Sequence, residues 1–304
     1  MTAGGVRPLH QVRALGAAVE AWGSAAGGRT RRDDLPWRAT REPWAVLVSE
    51  TLAQQTQLSR VVPAYRRFLR SFPTPAACAA APLGDVLRAW EGMGYNRRAR
   101  NLHRAATVVV ERHDGSVPDS LGSLLALPGV GPYTARAVLA FAFGRDVGVV
   151  DTNAGRVLSR AVAGRPLAPA EAQTVVDAMV PEGRGWSFGQ ALLDLGATVC
   201  TSRSPDCAAC PVRRRCRWAA GGRPDPDPAR GSAGVSTPQA RFAGSDREGR
   251  GRLVAALRSG PLPSDGLAVA AGWPDDPGRA RAVAERLVAD GLAVVDHGGV
   301  WHLP

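Results

Sequence analysis

The sequence predicts an all-α fold for its first 216 residues, followed by a small helix-and-hairpin unit. Three observations carry this expectation. Helix-length segments follow one another, separated by Pro, Gly, Asp or Ser. Period-two alternation is nearly absent, and residues 147–150 read as an extended connection. Hydrophobic residues make up 45% of the 304, which suits a globular chain with one large core or two moderate ones.

Taken in order, an amphipathic helix is expected over 9–26. Pro43 suits the first turn of the next, which runs from Trp44 to Ala53. Others are expected over 57–71, 85–90, 97–112, 119–126, 132–143, 152–163, 169–180 and 186–198. The longest apolar run, 137–143, is far short of the roughly 18 residues of a membrane helix. Arg7 and Arg13 are followed by no apolar segment of a secretory signal, so the expected compartment is the cytoplasm. Residues 220–245, rich in Gly, Pro and Ser, read as a linker between a 1–219 domain and a 246–304 unit. In that unit, helices over 247–258, 264–271 and 277–289 precede strands over 292–296 and 300–303. The strands flank His297-Gly298-Gly299, a hairpin signal, and the whole suggests a winged-helix-like module.

The formal net charge is +11, and all 38 basic residues are arginine. Without lysine, no side-chain amine exists to form a Schiff base. Residues 1–219 hold 28 arginines against 17 carboxylates, whereas 220–304 hold ten of each. A basic surface confined to one domain points to a polyanionic partner, nucleic acid first.

Four of the five cysteines, Cys200, Cys207, Cys210 and Cys216, follow the spacing C-x6-C-x2-C-x5-C. In a reducing compartment they are metal ligands rather than disulfides. Zinc and an iron–sulfur cluster both accept four thiolates. Zinc sites usually use two tight C-x2-C pairs, and only one occurs here, so a [4Fe–4S] cubane is the better fit. Arg213, Arg214, Arg215 and Arg217 crowd the last ligand, where they can offset cluster charge or reach phosphate. Cys78, alone among alanines, reads as a small buried residue.

Leu127-Pro128-Gly129-Val130-Gly131 closes one helix and opens another, a turn whose glycines permit close backbone approach and whose helix start can hold a phosphate. A plain helix–helix turn has the same pattern. Asp151 ends the apolar stretch 147–150, and by position alone it reads as the cap of the next helix. Glu50 lies off the stripe of Trp44, Leu47, Val48 and Leu52, at the edge of the core.

Together, the L-P-G-V-G turn, an aspartate 20 residues past Gly131 and the cysteine spacing resemble the helix-hairpin-helix DNA glycosylases of the endonuclease III superfamily, over roughly residues 30–218. Leu35-Pro36-Trp37-Arg38, the run from Ser49 to Gln57, Gly92-Met93-Gly94-Tyr95 and Arg98-Ala99-Arg100-Asn101-Leu102-His103 resemble the adenine glycosylase (MutY) branch. That resemblance implies removal of adenine mispaired with 8-oxoguanine or guanine in double-stranded DNA, with Glu50 as the acid and Asp151 as the carboxylate that stabilises an oxocarbenium-like sugar. It also implies that Tyr133 and Asn153 support the site. Gln54, Gln55, Thr56 and Tyr95 would probe the gap left by the flipped base, and Leu127, Gly129, Val130 and Gly131 would hold the backbone. Trp37, Arg38, Ala53 and Asp194 would line the base pocket. Tyr133 stands where bifunctional relatives keep a lysine, so the implied enzyme is monofunctional.

Four departures mark this chain. Ala53 replaces a usual leucine, Asp194 a common glutamate, and Asn96 a frequent second tyrosine. Only 88 residues follow Cys216, and they resemble the short tail of actinobacterial members rather than a Nudix-like domain. The smaller Ala53 leaves room for hypoxanthine. Two alternatives stay open at this point: a glycosylase for another base, including a mismatched pyrimidine, and a non-catalytic iron–sulfur DNA-binding protein.

Overall fold

The structure is a computed structural model describing residues 7–25, 34–233 and 241–304. Ala26, at the expected end of the first helix, and residues 234–240 of the expected linker lie outside the described residues. In chain order the elements are α1 (Leu9–Ser24), a 3-10 turn (Pro36–Arg38), α2 (Pro43–Ala53), α3 (Leu58–Ser71), α4 (Pro75–Ala80), α5 (Leu83–Ala89), α6 (Arg97–Arg112), α7 (Leu121–Leu125) and α8 (Pro132–Phe141). Next come α9 (Thr152–Val157), α10 (Pro169–Met179), α11 (Gly185–Asp194) and α12 (Arg217–Ala220). The tail holds α13 (Asp246–Ser259), β1 (Leu262–Pro263), α14 (Leu267–Ala271), α15 (Pro277–Ala289), β2 (Val294–Val295) and β3 (Val300–His302). Helices α9 and α11 each run on into a wider π-type turn, Leu158–Ala163 and Leu195–Val199. Residues 147–150 form neither helix nor strand, and Gly148 is held by Asp177 and Gln173.

The chain forms two compact units, residues 1–46 with 131–237 and residues 47–130 with 238–304, a division that cuts across the boundaries read from the sequence. Its cause is local: each half of the helical region closes its own core, and the tail adds to the second.

In the first unit, Val12, Leu15 and Val19 of α1 share a core with Leu158, Val162, Val176, Met179, Phe188, Leu192 and Leu195. Gly16 is what lets α1 reach α10, because a Cβ there would lie 1.9 Å from the Met179 carbonyl oxygen. The start of the expected linker is fastened to this unit. Asp227 pairs with buried Arg160, Ser159 Oγ donates to Ser232 Oγ at 2.5 Å, and Ala233 N–H donates to Leu167 O at 2.9 Å.

In the second unit, Phe68 meets Trp90 edge to face at 5.9 Å, over a core that includes Val61, Leu87, Leu102 and Ala106. Cys78 is fully buried in α4, a helix started by the Thr74 hydroxyl, and burial pushes its thiol up to about 12. The tail strands form one antiparallel sheet of order β1-β3-β2, with Trp301 opposite both Leu262 and Val295. Strand β1 was invisible in the sequence because two residues leave no periodicity.

Candidate active site and nucleic-acid interface

Asp151 caps α9, as its position predicts. Its Oδ1 accepts the Ala154 N–H at 2.7 Å, and its Oδ2 accepts from Asn153 Nδ2 at 2.7 Å. Both oxygens are therefore oriented. Burial drives this carboxyl above the ordinary aspartate range, while those two donors and the nearby Arg156 pull it down. Asn153 is held in turn by Arg156, whose Nη2 donates to Asn153 Oδ1 at 2.8 Å and to Gly196 O at 2.7 Å. Arg156 Nε reaches Cys200 O at 3.3 Å, so hydrogen bonds run from Asp151 to the cysteine loop. Tyr133 lies half-buried on the first turn of α8, in the same unit.

Two of the pocket candidates meet. Arg38 donates to Asp194 through both terminal nitrogens, at 2.9 and 2.7 Å, and both side chains are buried. The fork fits the carboxylate edge to edge, a geometry that lysine cannot supply. Trp37 sits half-buried beside Arg38 on the 3-10 turn. Ala53 ends α2 in the second unit.

Glu50 is 9% exposed. The sequence reading placed it at the edge of the core. The structure buries it, because α2 is covered on every face from Trp44 to Leu52 rather than along one stripe.

Arg98 assembles the turns that carry Gln54, Gln55, Thr56 and Tyr95 in the second unit. Its Nη1 donates to the carbonyls of Thr51, Leu52 and Gln54 at 2.9, 3.0 and 2.6 Å. Its Nη2 reaches Thr56 Oγ1 and Met93 O, each at 3.1 Å. The guanidinium lies 5.5 Å from the rings of both Trp90 and Tyr95. One cation thus ties the Gln54–Gln55–Thr56 turn to the Tyr95 turn. Gln55 and Tyr95 both have positive φ, 54° and 44°, and Tyr95 is 43% exposed. Such backbone is costly for a residue with a side chain and persists where surrounding bonds fix it.

At the hairpin, Val130 N–H donates to Leu127 O at 3.1 Å. Gly129 has φ 79°, and a Cβ there would lie 2.7 Å from Asn101 Cβ, so the glycine is required twice over. A Cβ on Gly131 would meet nothing within 4 Å among the described residues.

Cys200, Cys207, Cys210 and Cys216 line one cavity with Arg160, Val212 and Trp218. All are free thiols, and among the described residues no group of three or more Cys, His, Asp or Glu is placed to hold a metal ion. Burial pushes the Cys200 and Cys216 thiols up, and that of Cys210 to about 11. Arg160 Nη1 donates to Cys200 Sγ at 3.4 Å and Ala219 N–H to Cys216 Sγ at 3.5 Å, both bonds that favour thiolates.

Residues 48–176 match the HhH-GPD superfamily of base excision DNA repair proteins. The chain is 42% identical over 265 residues to the adenine DNA glycosylase of Mycolicibacterium smegmatis, covering 86% of this chain and 88% of the relative. This chain belongs to the HhH-GPD superfamily. The human adenine DNA glycosylase is 40% identical over 198 residues, which span 60% of this chain and 36% of that protein. Among solved structures, a thermostable thymine-DNA glycosylase superposes with a TM-score of 0.63 at 27% identity, over 70% of this chain and 98% of its own. An endonuclease III trapped on DNA superposes at 0.59 and 26%, over 71% and 99%. The helix-hairpin-helix expectation holds.

Sequence reasoning assigned no role to three arginines of this HhH-GPD chain, although Arg98 stands in one of its motifs. Arg156 and Arg160 stand four apart among Val157, Leu158, Ala161 and Val162. Two cations on an otherwise apolar helical run signal buried hubs. Arg98 carries no such mark, since its neighbours Arg97 and Arg100 are also charged.

Proposed function

We propose that this chain is a monofunctional adenine DNA glycosylase that acts on adenine opposite 8-oxoguanine or guanine in double-stranded DNA and leaves an abasic site. The observation that carries the reading is Asp151, a deeply set carboxylate oriented at both oxygens, in a chain 42% identical to adenine DNA glycosylases over most of its length. Buried Glu50 protonates adenine N7, which turns a poor anionic leaving group into a neutral one. Ionised Asp151 faces the cationic sugar as the C1′–N9 bond breaks, with Asn153 and Tyr133 holding the site, and water adds at C1′. The base is flipped out of the stack, at a cost of a few kcal/mol. Gln54, Gln55, Thr56 and Tyr95 occupy the space it leaves, and Gly129 to Gly131 seat the backbone phosphate. Trp37, Arg38, Ala53 and Asp194 frame the base. The enzyme works as a monomer in the cytoplasm, at the nucleoid.

The residues lining the cysteine cavity suit a [4Fe–4S] cluster. The four thiols line one cavity, and N–H donors already face two of the sulfurs. Held by Cys200, Cys207, Cys210 and Cys216, the cluster would supply a cross-link for the 200–216 loop; the hydrolysis needs only the side chains above.

The test is release of free base from duplexes carrying adenine opposite 8-oxoguanine, guanine or cytosine, and from inosine duplexes. Adenine release from the first two is expected; its absence from both sinks the reading. Glu50→Gln and Asp151→Asn should each lose most turnover while still binding DNA. Because Asp151 must be ionised and burial raises its pKa, the acid limb of the single-turnover rate should lie above the ordinary aspartate range. With no lysine in the chain, borohydride should trap little enzyme on DNA.

A further inference from the structure

We propose that the tail is an intramolecular brace for the Tyr95 turn, with Asp290 and Arg258 as positioning residues. The inference rests on the reading of Tyr95 as a probe of the base stack. Asp290, at the C-terminal end of α15, accepts a two-pronged bond from Arg97 Nε and Nη2 at 2.9 and 2.8 Å. The same carboxylate accepts from Arg250 Nη2 at 2.5 Å, and its backbone oxygen accepts from Arg100. Arg258 of α13 donates from Nε to Leu87 O at 2.8 Å and from Nη2 to Asn96 Oδ1 at 2.9 Å. Asn96 stands at the cap of α6 yet its side chain makes no capping bond. Its oxygen serves the tail instead. Residues 96 and 97 directly follow Tyr95, whose strained φ needs an external restraint. The terminal Pro304 carbonyl also accepts the Gly84 N–H at 2.7 Å, which fixes the start of α5.

The tail as a whole does not carry the charge of a DNA-binding surface. Residues 246–304 hold seven arginines against eight carboxylates. On α15, Arg279 and Arg286 pair with Asp246, and Arg281 with Glu285. The tail therefore acts on DNA through the turn it holds.

The experiment uses the full-length protein and a duplex with 2-aminopurine beside the guanine or 8-oxoguanine. Asp290→Asn, Arg258→Met and Asn96→Ala should each weaken duplex binding about tenfold, one lost charge-assisted contact, and blunt the fluorescence rise on binding. The single-turnover rate at saturating enzyme should stay within about twofold, because the catalytic groups are untouched. Asn96→Ser, which keeps an acceptor, should restore part of the response. Unchanged affinity and fluorescence in all three variants would overturn the brace. So would a loss of affinity in an Arg281→Glu/Arg286→Glu double variant, which would make the tail a direct reader. Should Asp290→Asn fold poorly, Asn96→Ala and Asn96→Ser still decide. If the wild type releases no adenine from any duplex, the proposed reaction fails, and the fluorescence readout still tests the brace.

Discussion

Arg160 and Arg98 are both guanidinium hubs, one in each unit, and they are stabilised in opposite ways. Arg160 is 1% exposed and faces a carboxylate, Asp227, at 2.5 Å. It also donates to Thr201 O at 2.7 Å and Ser202 O at 3.1 Å. Although burial opposes its charge, bonds to Asp227 and Cys200 raise its pKa. The hydrogen-bond acceptors of Arg98 are neutral carbonyls and one hydroxyl. Burial brings it down to about 10, partly opposed by Tyr95, with a smaller lowering effect from nearby Arg60. It is still a cation at neutral pH. One hub locks the cysteine loop with paired charge, while the other holds the Gln54–Thr56 and Tyr95 turns with dipoles alone. Paired charge makes a fixed scaffold; dipoles make a hold whose strength depends on geometry in every bond.

The largest expected effect is at Arg160. Arg160→Met strands Asp227 and the loop carbonyls, and stability should fall by about 3–5 kcal/mol, the cost of breaking a buried pair. A lowered denaturant midpoint would show it; an unchanged midpoint would break the comparison. Arg98→Met comes next. It frees carbonyls that water can reach from the turns, so about 1–3 kcal/mol is expected, with a loss of duplex affinity larger than the loss of stability suggests. Arg98→Lys should rescue stability more than affinity, because a point charge cannot fork.

A smaller effect separates the hubs by pH. The Arg160 bond holds Asp227 below its ordinary range, so the pair's contribution is complete above the unfolded aspartate pKa and fades as pH falls through the depressed value. The difference in urea midpoint between wild type and Asp227→Asn should shrink in acid. The effect of Arg98→Met should not, since its acceptors do not titrate. Smallest of all, Thr56→Val removes one neutral acceptor of Arg98 and should cost about 0.5–1.5 kcal/mol.

What the sequence made legible was local. The cysteine spacing, the L-P-G-V-G turn, the Asp151 cap and most helices are set by residues within a few positions of one another. Helix α4 escaped because six residues, mostly alanine, carry no periodicity. The hubs escaped for another reason. Arg160 meets Asp227 and Arg98 meets the Gln54 carbonyl across 67 and 44 positions, so nothing near either arginine announces the partner. Glu50 was found by its flanking residues, although a one-sided stripe does not foresee a helix covered all round.

Tyr133, on the first turn of α8, stands in a chain that is blank to amine chemistry. Any lysine placed there would be the sole side-chain amine of the molecule. Tyr133→Lys therefore makes the protein its own single-site reporter: an imine trapped on DNA, or an amine-selective tag, maps to one atom or to the N-terminus, with no other lysine to subtract.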